Sequence, residues 1–211
     1  ILVLSTKPQV IGQALNSLSG HGNRATLVVS ILAGVRISTL REGTGNLSVA
    51  RAMPNTPAQI GEGITVWTTT PETPESERQN AKALLGALGE ELYMEDEKFL
   101  DMATALSGTG PAYVFMFMEA LIDAGVHMGF SRRDAERLVL QTVRGSVDYA
   151  RQSGLHPAEL RNQVTSPGGT SAEAIYQLEK GGLRTVLSRA VYAAFRRSVE
   201  LGRAQEKKRE E

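Results

Sequence analysis

The residues best suited to chemistry lie in one short turn, Ser166-Pro167-Gly168-Gly169-Thr170-Ser171. Proline and two glycines end the preceding helix, and Thr170 followed by Glu173 has the spacing of a capping box that starts the next helix. Such a turn directs several backbone N–H groups and the positive end of a helix toward one point, which favours a carboxylate or a phosphate. The hydroxyl groups of Thr170 and Ser171 would lie at its rim. A plain, capped turn between two helices explains the same local pattern.

Three more segments follow predicted strands, at Ser5-Thr6-Lys7-Pro8, Ser30–Gly34 and Met53-Pro54-Asn55-Thr56-Pro57. Ligands of open α/β sheets bind at the carboxyl ends of the strands. Lys7 is placed to neutralise a phosphate there, and Asn55 to offer its amide to a cofactor. The simpler alternatives are a solvated lysine and a rigid turn between two prolines.

A fourth segment, Ser107-Gly108-Thr109-Gly110-Pro111-Ala112-Tyr113, leads into a strongly apolar helix. Pro111 suits the first turn of that helix. Small residues let the backbone approach a ligand closely, although close packing of helix on helix explains them equally well.

The elements that must position these segments fall into two regimes. Up to about residue 95, short apolar runs alternate with helical patterns, which predicts a doubly wound, parallel α/β sheet. The predicted strands are Leu2–Ser5, Thr26–Leu32, Leu47–Met53, Gly63–Thr69 and Glu91–Met94, and the predicted helices between them are Pro8–Ser19, Ile37–Glu42 and Pro74–Leu88. Beyond it we expect only helices, at Lys98–Leu106, Pro111–Met128, Arg132–Gln152, Pro157–Gln163, Ser171–Lys180 and Leu183–Ala204. The acidic stretch Glu90–Glu97 is interpreted as a solvated junction between the two regimes.

Composition excludes several classes of function. The 23 Lys and Arg residues balance 23 Asp and Glu residues, so we expect neither a nucleic-acid partner nor an anionic membrane surface. There is no cysteine, and the three scattered histidines form no zinc-binding pair, so we expect no metal site. Pro111–Met118 is nearly all apolar but too short and too closely followed by charge for a membrane span. We expect it to be buried, partly by a second subunit.

The first residue is Ile, and a strand pattern begins at once. No features of a signal peptide are present. We therefore expect that the chain starts inside a domain and that N-terminal residues of the natural protein are missing.

Taken together and in this order, the four strand-end and small-residue segments and the Ser-Pro-Gly-Gly turn resemble pyrroline-5-carboxylate reductase, from about residue 3 to about residue 202. The resemblance implies a partial, Rossmann-like dinucleotide-binding domain over 1–95, without its phosphate-binding turn, and an all-helical dimerisation and substrate domain over 96–211. It also implies NADPH or NADH as cofactor, a homodimer that can assemble further, and a cytoplasmic location.

The family's site residues carry over position by position. Those implied to contact the cofactor are Ser5, Thr6, Lys7, Pro8, Ile31, Leu32, Ala33, Asn55, Thr109 and Gln163. Those implied to bind substrate are Ser166, Gly168, Gly169, Thr170 and Ser171, with Ser171 and Thr170 as the catalytic candidates. Ser171 stands where the family usually has a second Thr, which keeps the hydroxyl. Gln163 stands where the family often has Asn.

The implied reaction transfers a hydride to the C=N carbon of 1-pyrroline-5-carboxylate and yields L-proline. A cyclic imine is already electrophilic when it is protonated, so the protein needs mainly to hold the two reactants at reacting distance. The backbone N–H groups of Gly168–Ser171 would take the substrate carboxylate, and the Ser171 hydroxyl would meet the imine nitrogen.

Two alternatives remain open at this point. A β-hydroxyacid dehydrogenase would carry a catalytic Lys and Asn on the helix after the junction, and Pro111–Phe130 contains neither residue type. A non-catalytic dimerisation fragment would fold and dimerise but bind no cofactor.

Overall fold

The computed structural model describes residues 1–18 and 27–210, and the chain divides into two compact units. The sheet unit comprises Ile1–Pro111 together with the chain from Ala190 onward, and the helical unit comprises Ala112–Arg189. The last part of the final helix packs with the sheet, so the sheet unit is made from two separate stretches of the chain. The predicted domains are 1–95 and 96–211. These limits stay a prediction.

The sheet has five strands in chain order, β1 (Leu2–Leu4), β2 (Val28–Ser30), β3 (Val49–Met53), β4 (Gly63–Thr69) and β5 (Gly89–Tyr93). β1, β2 and β3 are parallel, β3 and β4 are antiparallel, and β4 and β5 are again parallel. The predicted α/β class is confirmed, and the sheet is mixed rather than wholly parallel. The cause is the connection over residues 54–62, which is shorter than the dozen or so residues that a parallel crossover requires.

Two apolar clusters hold helices to the sheet. A 3₁₀ turn (Pro8–Val10) leads into α1 (Ile11–Ser17), which packs with α2 (Ile37–Thr44) on β1–β3 around Val28, Leu40 and Val49. The second cluster joins α3 (Glu75–Gly86) to β2–β4. Its buried members are Leu27, Val29, Ala50, Ala52, Trp67, Ala81 and Leu85. All the described members of both clusters lie within this unit, so the sheet has a hydrophobic core of its own. The predicted strand start at Thr26, the predicted helix end at Ser19, and His21 lie outside the described residues.

The remaining helices are α4 (Lys98–Ala103), α5 (Gly110–His127), α6 (Arg132–Ser153), α7 (Pro157–Gln163), α8 (Thr170–Lys180) and α9 (Leu183–Glu210), with a wide turn at Thr104–Gly108 and a second 3₁₀ turn at Thr56–Ile60. The Ser131 hydroxyl caps α6 by accepting from the Asp134 amide at 3.1 Å. His156 caps α7 in the same way, its Nδ1 accepting from the Ala158 amide at 3.1 Å. These caps explain why both helices begin where the sequence predicts.

The helical unit buries very little within one chain. Of its described residues, Gly125 and Ala135 are the buried ones, where α5 and α6 touch. A Cβ added at Gly125 would lie 3.1 Å from the Ala135 Cβ, so glycine lets the two helices come together. Large apolar side chains are exposed on α5, α6, α8 and α9, among them Val114, Phe115, Met116, Phe117, Leu138, Val147, Tyr176 and Val186. The predicted burial of the apolar helix is therefore not achieved by this chain alone.

The helical stretch Lys98–His127 is long and apolar enough, by length and composition alone, to cross a membrane. Buried helices of other proteins pass the same test. This stretch has 30 residues because the wide turn continues α4 into α5, so it is longer than the apolar run Pro111–Met118 considered from the sequence. The expectation of no membrane span stays a prediction.

Candidate active site

The turn between α7 and α8 contains two glycines that are required for different reasons. Gly168 has a φ of +71°, a left-handed conformation that disfavours other residues. Gly169 has an ordinary φ of −79°, but a Cβ there would lie 2.5 Å from the Ser166 hydroxyl oxygen. The first glycine is therefore required by its backbone angle, and the second by the close approach of the Ser166 side chain.

The turn leaves several N–H groups available. The Gly169 amide donates to the Ser166 carbonyl at 3.0 Å, and the amides of Ala172 and Glu173 donate to the Gly169 carbonyl at 3.1 and 3.3 Å. The amides of Gly168, Thr170 and Ser171 have no acceptor among the residues that the structure describes. The last two begin α8, so they lie at the positive end of a helix of 11 residues.

The predicted capping box is wrong. α8 begins at Thr170, its N-cap is Gly169, and no side chain caps the helix. The Glu173 carboxylate instead accepts from the Gln177 side chain at 2.9 Å. Because glycine supplies the extended backbone of the N-cap but no side-chain oxygen, the amides of Thr170 and Ser171 are not satisfied by a cap.

Side chains on four helices, α6 to α9, make the contacts around this turn. The Thr165 hydroxyl donates to the Arg161 carbonyl at 2.6 Å. The Glu179 carboxylate, at the end of α8, pairs with Arg184 at 2.8 Å and lies 4.0 Å from Arg161. Gln163, a predicted cofactor contact, accepts from the Tyr149 hydroxyl at 3.3 Å through its side-chain oxygen.

The sheet unit brings a second set of predicted residues to one edge. Because β1, β2 and β3 are parallel, the segments Ser5–Pro8, Ile31–Ala33 and Asn55 all follow carboxyl ends at the same edge of the sheet. Ser5, Thr6 and Lys7 are exposed there. Leu32 is only 2% exposed, so it can offer a ligand little beyond its backbone.

Two of the predicted cofactor contacts in this unit also have structural roles. The Asn55 side-chain oxygen accepts from the Ile64 amide at 2.9 Å, which joins the 3₁₀ turn to β4. The Thr109 hydroxyl donates to the Thr104 carbonyl at 2.8 Å. What remains for a ligand is the Asn55 amide N–H₂ and the lone pairs of the Thr109 hydroxyl.

The wide turn Thr104–Gly108 replaces the end of a predicted regular helix. The Thr109 amide donates to the Thr104 carbonyl at 2.8 Å, a π-type bond spanning five residues. Turns of this type are common at functional sites. A Cβ at Gly108 would lie 2.9 Å from the Met53 terminal methyl, so glycine makes room for the end of β3. The turn is therefore packed directly onto the segment that leads to Asn55.

Sequence reasoning missed a buried charge network beneath this edge. Arg51, in the middle of β3, is 3% exposed and donates to Glu97 at 2.8 Å and to Asp101 at 3.1 Å. The interpretation of Glu90–Glu97 as a solvated junction is wrong at two positions, because Glu97 pairs with Arg51 and Glu91 accepts from the Trp67 indole. A lone arginine inside an apolar strand was the available signal, since such a charge requires a partner.

Next to this network, Asp96 lies in solvent at the start of α4. Hydrogen bonds from the side chain and the amide of Lys98 lower the pKa of the Asp96 carboxyl below its usual value. Within the described part of the chain, no group of three or more His, Asp or Glu side chains is placed to hold a metal ion.

Known proteins show similarity over nearly the whole chain. Residues 97–201 match the family model for pyrroline-5-carboxylate reductase dimerisation. A pyrroline-5-carboxylate reductase of Synechocystis is 43% identical over 203 residues, covering 96% of this chain and 75% of the relative, and one of Arabidopsis thaliana is 40% identical, covering 97% and 74%. The crystal structure of Plasmodium falciparum pyrroline carboxylate reductase with NADP bound has a TM-score of 0.89 at 36% identity, covering 95% of this chain and 80% of that one. The chain belongs to the pyrroline-5-carboxylate reductase family.

Proposed function

We propose that this protein reduces 1-pyrroline-5-carboxylate to L-proline with a hydride from NADPH or NADH. The observation that supports this most directly is the set of unpaired amides at Gly168, Thr170 and Ser171. They occur in a chain that is 43% identical to a named reductase.

The substrate carboxylate binds at the start of α8. The free amides of Gly168, Thr170 and Ser171 each donate to one of its oxygens, and the positive end of the helix adds a favourable field. Gly169 and Ser166 pack against each other in this turn, because the glycine has no side chain to displace the Ser166 hydroxyl. No lysine or arginine is needed to hold the anion.

The Ser171 hydroxyl binds the imine nitrogen. It is half-buried and has no hydrogen-bond partner among the described residues. A protonated imine donates to this oxygen, which fixes the orientation of the ring and favours the charged, electrophilic form. Thr170, one position earlier and exposed, lines the rim.

The cofactor binds along the carboxyl edge of β1, β2 and β3. The residues there fit a nicotinamide dinucleotide by their chemistry: Lys7 is an exposed cation for a phosphate, and Asn55 keeps a free N–H₂ for an amide oxygen. The backbone of Ile31–Ala33 and the hydroxyl groups of Ser5, Thr6 and Thr109 complete this set within the sheet unit. Gln163, the remaining predicted cofactor contact, belongs to the helical unit and stays a prediction. When bound, the nicotinamide supplies the hydride.

We further propose that the enzyme works in the cytoplasm as a homodimer, and that dimers can assemble further. The apolar helix α5 and its neighbours are uncovered in one chain, and the matching family model is that of a dimerisation domain. A second copy covers Lys98–His127 with protein, which accounts for its composition without a lipid bilayer.

The exchange Ser171→Ala tests the reaction. We expect the kcat for pyrroline-5-carboxylate to fall, by an amount that corresponds to a loss of about 1–3 kcal/mol in transition-state stabilisation. The Kd for NADPH should change little. The matched control is Ser146→Ala, on an exposed face of α6, where the hydroxyl bonds only to its own helix. Unchanged turnover in Ser171→Ala would remove this residue from the mechanism, and a wild-type protein that reduces no pyrroline-5-carboxylate would contradict the proposal.

A further inference from the structure

We propose that Arg51 is a positioning residue: it holds, through Glu97 and Asp101, the segments of the sheet unit that contact the dinucleotide. This inference rests on the proposed function for the identity of the ligand. The network that carries it is internal to the sheet unit and is independent of the substrate turn.

The centre of the network is a guanidinium with two carboxylates. Arg51 is 3% exposed, Asp101 is 16% exposed and Glu97 is 30% exposed. One terminal nitrogen donates to Glu97 at 2.8 Å and the other donates to Asp101 at 3.1 Å. The planar head of arginine presents its two terminal nitrogens in a fixed fork, so one buried side chain can hold two carboxylates in a defined geometry.

The first carboxylate reaches the segment after β2. The oxygen of Glu97 that pairs with Arg51 also accepts from the Ile37 amide, at 2.9 Å. Ile37 is the first residue of α2, three positions after Gly34, so Glu97 fixes where the Ile31–Ala33 segment ends. A carboxylate at a helix start is also favoured by the helix dipole.

The second carboxylate reaches the last helix. Asp101 accepts from the Ser198 hydroxyl of α9 at 3.0 Å. One turn further on, a Cβ at Gly202 would lie 3.2 Å from the Gly34 carbonyl oxygen, so α9 packs against the same post-β2 segment. Arg51 thereby supports this segment from two sides.

The strand that carries Arg51 supports the other two segments. Two residues after Arg51, the Met53 side chain fills the space that glycine leaves at position 108. Met53 precedes the turn with Asn55, and Gly108 precedes Thr109. A shift of β3 would therefore move both of these predicted cofactor contacts together.

The exchange Arg51→Lys keeps the positive charge but cannot bond both carboxylates in the same fork. We expect the Kd for NADPH to rise about fivefold or more, with the Ile37 amide exchanging faster in hydrogen exchange, because misplaced contact residues bind less well. The affinity for L-proline should not change, since the substrate turn takes no part in the network. The matched control is Arg41→Lys, which alters an exposed ion pair with Glu72 on the same unit.

A second variant separates positioning from stability. The triple exchange Arg51→Met/Glu97→Gln/Asp101→Asn removes all three charges together, and such neutral replacements are often tolerated by the fold. We expect its Tm to stay within about 5 °C of wild type while the Kd for NADPH remains raised.

Two results would overturn the inference. One is a wild-type Kd and unchanged Ile37 exchange in a folded Arg51→Lys variant, and the other is a triple variant with wild-type Tm and wild-type Kd. Failure of the proposed function is seen separately, as a wild-type protein that binds NADPH without reducing pyrroline-5-carboxylate or that does not bind NADPH. In that case the exchange rate at Ile37 still decides whether Arg51 holds the segment.

Discussion

The two units of this chain use apolar residues in opposite ways. The sheet unit encloses them, and Val28, Val29, Leu40 and Val49 are fully buried within one chain. The helical unit displays them, with Phe115 58% exposed and Met116 74% exposed. The sheet unit therefore contains its own hydrophobic driving force, whereas the helical unit must obtain it from another molecule.

This difference predicts two kinds of stability. A core enclosed by one chain unfolds with a midpoint that does not depend on protein concentration, whereas the stability of a surface covered by a second copy increases with protein concentration.

The two units also offer different candidate binding sites. The sheet unit offers the carboxyl edge of its parallel strands, and the helical unit offers the start of α8. Substitutions matched for exposure can break or sharpen this contrast.

The largest effect is expected from Met116→Asp compared with Leu47→Asp. Both native residues are exposed in one chain, at 74% and 61%. If a second copy covers Met116, the exchange loses its burial and places an unpaired carboxylate in an apolar interface, once in each protomer. We expect the free energy of dimerisation to become less favourable by at least about 4 kcal/mol. Analytical ultracentrifugation should then show that the dimer dissociates.

Leu47→Asp serves as the control for that experiment. Leu47 precedes β3 in the sheet unit and belongs to neither apolar cluster, so the free energy of unfolding should change by no more than about 0.5 kcal/mol. A Met116→Asp variant that stays dimeric and as stable as Leu47→Asp would contradict the contrast between the units.

A smaller loss is expected from Leu40→Ala in the sheet unit. Leu40 is fully buried between α1, α2 and the sheet, so truncation should cost about 3 kcal/mol through lost burial and a cavity. Urea unfolding monitored by the fluorescence of Trp67 measures the loss, which should be the same at low and high protein concentration. Leu84→Ala on α3, where the native side chain is 40% exposed, should cost less than about 1 kcal/mol. A concentration-dependent loss in Leu40→Ala would mean that the sheet unit also depends on the second copy.

The sequence predicts what is local and misses what joins distant residues. Gly63–Thr69 and Pro157–Gln163 are predicted with their observed limits, because strand patterning and a proline at a helix start are local signals. The partners of Arg51 lie 46 and 50 residues away, and Ser198 lies 97 residues from Asp101. No pattern within a window of the chain reports such pairs.

The candidate site divides in the same manner. The motifs identify the turn Ser166–Ser171 and the strand-end segments, because glycine and proline restrict the backbone locally. They do not show that Gly169 rather than Thr170 precedes the helix, since that depends on the backbone angles of the turn. The same sequence is compatible with a capped and with an uncapped start of α8, and only the uncapped start leaves backbone amides without an acceptor.

The smallest expected effect distinguishes these two starts. Thr170 makes no capping bond to α8, so Thr170→Ala should change the free energy of unfolding by no more than about 0.5 kcal/mol. Ser131 does cap α6, and Ser131→Ala should cost about 1 kcal/mol. Both residues lie in the helical unit and are exposed in one chain, so the two exchanges are matched for burial within that chain. Chemical denaturation of the two variants at one protein concentration measures the difference, and equal losses would mean that Thr170 caps its helix after all.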